Sequence, residues 1–100
     1  MRFLVIERMS HAAGSNPKEF AATAKAELEY KRKLEKKGKI WGGPFLDILA
    51  GGYILETETI EEMGEIFFNS PANFVTDREV HPLGSYADSI EGIEEMSKKK

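Results

Sequence analysis

The chain has 100 residues, with 17 acidic residues against 14 Lys and Arg, a formal net charge of −3 and no cysteine. That length fits one domain, residues 1–100, with a modest core. The mildly acidic balance argues against nucleic acid, which demands a dense basic face. The missing cysteines exclude disulfides, thiolate metal sites and cysteine nucleophiles.

Arg2 to Met9 opens with Phe3, Leu4, Val5 and Ile6, a short apolar run suited to a strand buried on both faces. It is too short and too charged for a secretory leader or a membrane span, so a cytoplasmic protein with no membrane partner is expected. His11 to Asn16 is small, polar and glycine-bearing, and reads as a loop. Asn16 is placed to cap a helix that starts at Pro17 and runs to about Lys37, with Gly38 as its stop. Phe20, Ala24, Leu28 and Leu34 mark its buried stripe, and Glu27 and Lys31 fall within the same stripe by the helical step.

Lys39 to Leu46 carries Ile40, Trp41, Pro44 and Phe45, an edge or bulged strand because of its proline. Asp47 to Gly52 supplies turn chemistry and Tyr53 to Glu58 resumes as a strand, which makes a hairpin. Thr59 and Glu62 form a capping box for a second helix with Ile60, Met63 and Phe67 on one face and Phe68 beside them, ending near Ser70-Pro71. Val75 to Leu83 alternates as a last strand. Asp88 or Ser89 is expected to cap a short terminal helix containing Ile90, Ile93 and Met96, and the lysines at 98–100 read as a solvated tail.

The order β-α-β-β-α-β plus a C-terminal tail is the ferredoxin-like, split βαβ pattern of an α+β fold. Two helices then cover one face of an antiparallel sheet. Both parities of the first strand are apolar, so the second face also needs cover, and a two-fold partner would supply it. The expectation is a homodimer or larger homo-oligomer that buries Phe3 and Val5 on the face away from the helices, with the tail from Tyr86 to Met96 packed on a neighbouring subunit.

The chain resembles the muconolactone isomerase-like branch of the dimeric α+β barrel superfamily from helix one to the last strand. In helix one the resemblance rests on Glu27, Tyr30 and Leu34 leading into Gly38-Lys39, and in the hairpin on Ala50-Gly51 and Tyr53. After the second helix it uses Pro71, Asp77, Glu79-Val80 and Leu83, with Ser89-Ile90 in the tail. The run Gly43-Pro44-Phe45-Leu46-Asp47, followed by Gly51-Gly52, looks more like the YciI-like family of the same superfamily, which is associated with a His-Asp pair. Either branch implies the dimeric α+β barrel fold; the two differ in the reaction they imply.

Alternation along the last strand puts Asp77, Glu79 and His81 on one face if Val80 points to the helices. Glu79 and His81 at i and i+2 suit a general base and its orienting carboxylate, or else both sit at the solvent end of the strand with no chemical role. Glu27 on the apolar stripe is a desolvated carboxylate suited to proton transfer, or else the partner of Lys31 in an i,i+4 pair with both stems on the core edge. Tyr30 near the same stripe is a hydrogen-bond donor for a carboxylate-bearing ligand or else packs with its hydroxyl in water, and His11, in the loop where a barrel mouth would lie, either serves the site or is simply solvated. Trp41, Phe45 and Tyr53 either wall an apolar pocket or fill core and interface.

Two scattered histidines make no metal signature, and no glycine-rich phosphate loop opens a helix, so neither a metal nor a nucleotide cofactor is expected. The reading is a cofactor-independent enzyme that shuttles a proton on a small lactone or carboxylated molecule. His81, Glu79 and Glu27 would be catalytic, with Tyr30, Trp41, Tyr53 and His11 binding substrate. The alternative is a non-catalytic ligand-binding or assembly protein on the same scaffold.

Overall fold

A computed structural model describes residues 1–10 and 16–98; His11 lies outside them. The elements are β1 (Arg2–Met9), α1 (Pro17–Lys36), β2 (Ile40–Pro44), β3 (Ala50–Glu56), α2 (Ile60–Phe68), β4 (Thr76–Leu83) and α3 (Tyr86–Lys98), with a short 3-10 turn at Asn73–Val75. The strands form one antiparallel sheet in the order β2-β3-β1-β4. This is the ferredoxin-like α+β arrangement that the order of elements predicts.

Local signals account for most helix ends. The Asn16 side chain accepts from Lys18 N at 2.9 Å, with Pro17 following in the first turn. Gly38, at φ +73°, ends α1 in a double bond pattern: its N–H reaches Glu35 O, and Lys39 N–H reaches Leu34 O. Thr59 Oγ1 accepts from Glu62 N at 3.1 Å, while the Glu62 carboxylate takes the N–H of Glu58 and not that of Thr59, so the box closes one residue early. α3 begins at Tyr86, earlier than Asp88 or Ser89 would have it, because Ser85 Oγ takes the Asp88 N–H. β3 likewise begins at Ala50, since Ala50 and Gly51 already pair with β1.

Register decides what faces the helices. One cross-strand row reads Ile40, Leu55, Phe3 and Pro82, and the next Gly42, Tyr53, Val5 and Val80. Phe3 is 4% exposed and Val5 0%, packed in one cluster with Leu34 of α1 and against Met63, Ile66 and Phe67 of α2. Phe3 and Val5 therefore belong to the chain's own core, and their expected burial in an interface is corrected. The parity left for the outer face is that of Leu4 and Ile6, in the rows Trp41, Ile54, Leu4, His81 and Gly43, Gly52, Ile6, Glu79.

The α2 assignment also shifts. Ile66 packs on the core, whereas Ile60 and Phe68 are exposed, because a helix of nine residues gives only a narrow contact stripe. α3 turns Tyr86, Ile90, Ile93 and Met96 to one side, all exposed, in a molecule with extents of 60 × 26 × 24 Å. No helix among the described residues is long and apolar enough to cross a membrane.

Gly42 has no room for a side chain. At φ +150° a Cβ there would lie 2.2 Å from Gly52 O and 2.6 Å from Tyr53 Cα, whereas one on Gly43 meets nothing within 4 Å. Gly42→Ala is expected to lower stability by about 3 kcal/mol in urea denaturation, and Gly43→Ala to stay within about 1 kcal/mol of the parent. Equal, small losses for the two would refute the close approach of β2 to β3.

Candidate functional site

Below the apolar rows the inner face of the sheet turns charged. The third row reads Pro44, Gly51, Glu7 and Arg78, so Glu7 and Arg78 are direct neighbours across β1 and β4. The helix stripe above them carries Glu27, Tyr30 and Lys31 where apolar residues would normally stand. Burying these groups is costly unless each finds partners, and the partners are close.

Lys31 Nζ lies 2.7 Å from Glu7 Oε1 and 2.8 Å from Glu27 Oε1, an i,i+4 pair extended by a second carboxylate from the sheet. Arg78 Nε donates to Glu7 Oε2 at 2.6 Å, and Tyr53 OH to the same oxygen at 3.0 Å. Glu27 is only 8% exposed, and the Ser70 hydroxyl at the end of α2 sits against its carboxylate, 2.7 Å from Oε2. Lys31 Nζ also stands 5.2 Å from the centre of the Tyr53 ring. The Arg78 guanidinium stacks 4.2 Å above Phe67 and reaches Asn73 Oδ1, while its Nη2 is buried with no partner among the described residues.

These contacts set protonation states. Burial alone would raise the Glu7 pKa, yet the charges and hydrogen bonds of Lys31 and Arg78 together outweigh it and hold the carboxyl below its ordinary value of 4.5. Burial and the adjacent Glu7 carboxylate push the Tyr53 phenol far above its ordinary 10.0, so it stays a donor at any working pH. Tyr30 is shifted in the same direction, by burial and then by Glu27.

Over this charged floor lies a cleft of about 540 Å³ between α1 and the β2–β3 hairpin. Glu7, Glu27, Lys31 and Tyr53 line its polar end, and Ala24, Leu28, Phe45, Ile48 and Leu49 are among its apolar walls. A few convergent polar groups in a largely apolar concavity is the usual form of a small-molecule site.

The expected site residues divide between the two faces of the sheet. Glu27 and Tyr53 reach the cleft. Tyr30 donates its hydroxyl to Ile66 O at 2.7 Å, where it ties α1 to α2. Trp41 is 51% exposed and belongs to the outer face, because β2 turns Ile40 inward beside it. Glu79 and His81 do meet, His81 Nε2 to Glu79 Oε2 at 2.7 Å, but on the outer face with more than half of each side chain exposed. Val80 packs inward as the alternation argument required.

Glu7, Arg78 and Ser70 are the residues that sequence reading passed over. Two of them had a signal: Glu7 shares the parity of Phe3 and Val5, and Arg78 that of Val80, so each is a charge on a helix-facing row. Ser70 had none. Among the described residues no group of three or more His, Asp or Glu side chains is arranged to hold a metal ion.

No protein-family model matches the sequence, and no curated protein matches it. Solved structures do. Muconolactone isomerase superposes with a TM-score of 0.77 at 19% identity, over 90% of this chain and 95% of that one. The 5-chloro-2-hydroxyhydroquinone dehydrochlorinase TftG of Burkholderia phenoliruptrix AC1100, solved with 2,5-dihydroxybenzoquinone, superposes with a TM-score of 0.64 at 22% identity, over 88% and 98%. At these identities the likeness carries the fold, and it is the fold that the resemblance to the muconolactone isomerase-like branch implied.

The lowered Glu7 pKa has a consequence for acid stability. A carboxyl that titrates lower when folded stabilises the protein above its unfolded pKa, and that contribution is lost as the pH falls from about 4.5 through the folded value. Glu7→Gln should cost about 3 kcal/mol near neutrality, because it leaves buried cations short of a partner. It should also flatten the loss of stability as the pH falls below about 4.5, followed by denaturant midpoints. An acid limb as steep as the parent's would contradict the assignment.

Proposed function

We propose that the chain is a cofactor-independent enzyme that moves a proton on a small lactone or carboxylated molecule in this cleft, an isomerisation of the muconolactone isomerase-like type. The observation that carries the reading is Glu27: a carboxylate buried on a helix, gripped by Lys31 and Ser70, at the polar end of a ligand-sized cleft. Glu27 removes a proton from a carbon next to a carbonyl, and the electron pair of the broken C–H bond moves onto the carbonyl oxygen. Lys31, whose ammonium has a third hydrogen beyond those aimed at Glu7 and Glu27, stabilises the oxygen as it gains charge. Returning the proton to a different carbon moves the double bond and leaves the molecule's oxidation state unchanged. Both structural neighbours bear the names of enzymes of small organic molecules, which supports an enzyme over a pure assembly protein.

A second reading follows from the Glu79–His81 contact. The dyad lies in line with Leu4, Ile6, Ile54 and Trp41 on the outer face, and a cavity around it would have to be closed by a second copy of the chain. We infer a homo-oligomer built on that face, with the apolar side of α3 laid on the neighbouring copy. Truncation after Leu83 should then reduce the mass found by light scattering or lower the melting temperature; an unchanged particle of unchanged stability would refute the role of α3.

The two sites separate by substitution, once a panel of unsaturated lactones and small keto acids yields a substrate. Glu27→Gln should reduce turnover by about 10²- to 10⁴-fold with the fold intact, while His81→Ala leaves it within a few-fold. The reverse pattern would move the chemistry to the outer face, and a fully active Glu27→Gln protein would end the cleft reading.

A further inference from the structure

The polar end of the cleft constrains the charge of what it can hold. Its two carboxylates, Glu7 and Glu27, share one ammonium, Lys31, and Arg78 balances Glu7 from the far side. Two negative and two positive groups leave no net positive charge to receive an anion. The remaining charged residues along the cleft, Arg32 and Glu35, are exposed and of opposite sign, so they add no attraction either. A carboxylate or phosphate entering here would lose its water and come to lie beside two buried carboxylates, facing an ammonium already committed to both.

A neutral carbonyl meets the opposite situation. Lys31 carries three hydrogens; Glu7 at 2.7 Å and Glu27 at 2.8 Å account for two, the Tyr53 ring lies 5.2 Å from Nζ, and a carbonyl oxygen is an acceptor for the third that brings no charge. The Tyr53 phenol, fixed on Glu7 at 3.0 Å, presents its ring and not a free donor. Leu28, Phe45, Ile48 and Leu49 supply apolar walls, and about 540 Å³ accommodates a one- or two-ring molecule.

We propose that the cleft selects uncharged, ring-sized molecules that present a carbonyl oxygen to Lys31, and that it rejects their carboxylate counterparts. This rests on the cleft being the ligand site and narrows the substrate class to the neutral lactone or ketone side. The Glu7–Arg78 pair is what enforces the selection: Glu7 is a positioning residue that keeps Lys31 from acting as a free anion receptor.

Three probes of matched shape test it on the full chain at pH 7: 4-hydroxybenzamide, methyl 4-hydroxybenzoate and 4-hydroxybenzoate. Each is titrated against ¹⁵N-labelled protein, reading the amides of Ala24, Leu28, Lys31 and Tyr53. The amide and the ester are expected to bind at least about tenfold more tightly than the acid, a difference of about 1.4 kcal/mol. In Glu7→Gln the acid should gain on the amide by a similar factor, as Lys31 is freed. An acid that binds as well as or better than its neutral partners would overturn the selection while leaving the cleft as the site. Shifts from none of the three, or shifts confined to outer-face residues such as Leu4 and Ile54, would overturn the cleft reading and the selection together.

Discussion

Lys31 is held between Glu7 of the sheet and Glu27 of its own helix, and much of the molecule is arranged around that contact. Two carboxylates taken out of water on the inner side of a sheet would destabilise the fold severely if left alone. Each is therefore surrounded: Glu7 by Lys31, Arg78 and Tyr53, and Glu27 by Lys31 and Ser70. Meeting those demands ties α1 to β1, β3, β4 and the end of α2. A rotation of α1 by one residue would leave several charges without partners, so the network specifies the docking of the helix while adding less to stability than apolar packing of equal volume would.

The same arrangement separates two kinds of chemistry that the chain contains. On the helix side, ion pairs of Glu7, Glu27 and Lys31 form the largely buried floor of a cleft with apolar walls, and burial strengthens the hydrogen bonds among them. On the other side, Glu79 and His81 stand in solvent next to a row of apolar residues. Glu27 and His81 cannot act on one small molecule, because the sheet lies between them. The apolar outer row and the bare stripe on α3 describe a surface that gains by being covered, whereas the cleft already has its walls.

Much of the architecture was readable from residue order. Asn16-Pro17, Gly38 and Thr59-Glu62 mark helix ends by hydrogen bonds that reach only a few residues, and such signals survive any packing. The i,i+4 geometry that joins Glu27 to Lys31 is equally local. Alternation in β4 grouped Glu79 with His81 on the face opposite Val80, and the structure, which turns Val80 inward, puts the pair on the outer face. Where reading went astray, the missing quantity was long-range. Phe3 and Val5 are apolar, and so are Leu4 and Ile6; nothing in β1 itself says which pair the helices will cover.

The sequence by itself therefore determined the order of the elements, their caps, the antiparallel α+β plan and the presence of charged residues on an apolar helix stripe, because each depends on neighbours a few positions apart. Tertiary structure decided which parity of the sheet lies under the helices, and with it which charges became a site. Glu7 and Arg78 are 71 residues apart in the chain and Glu27 and Ser70 are 43 apart. They meet only because strand register and helix docking bring them together, and the cost of burying a charge alone holds them there.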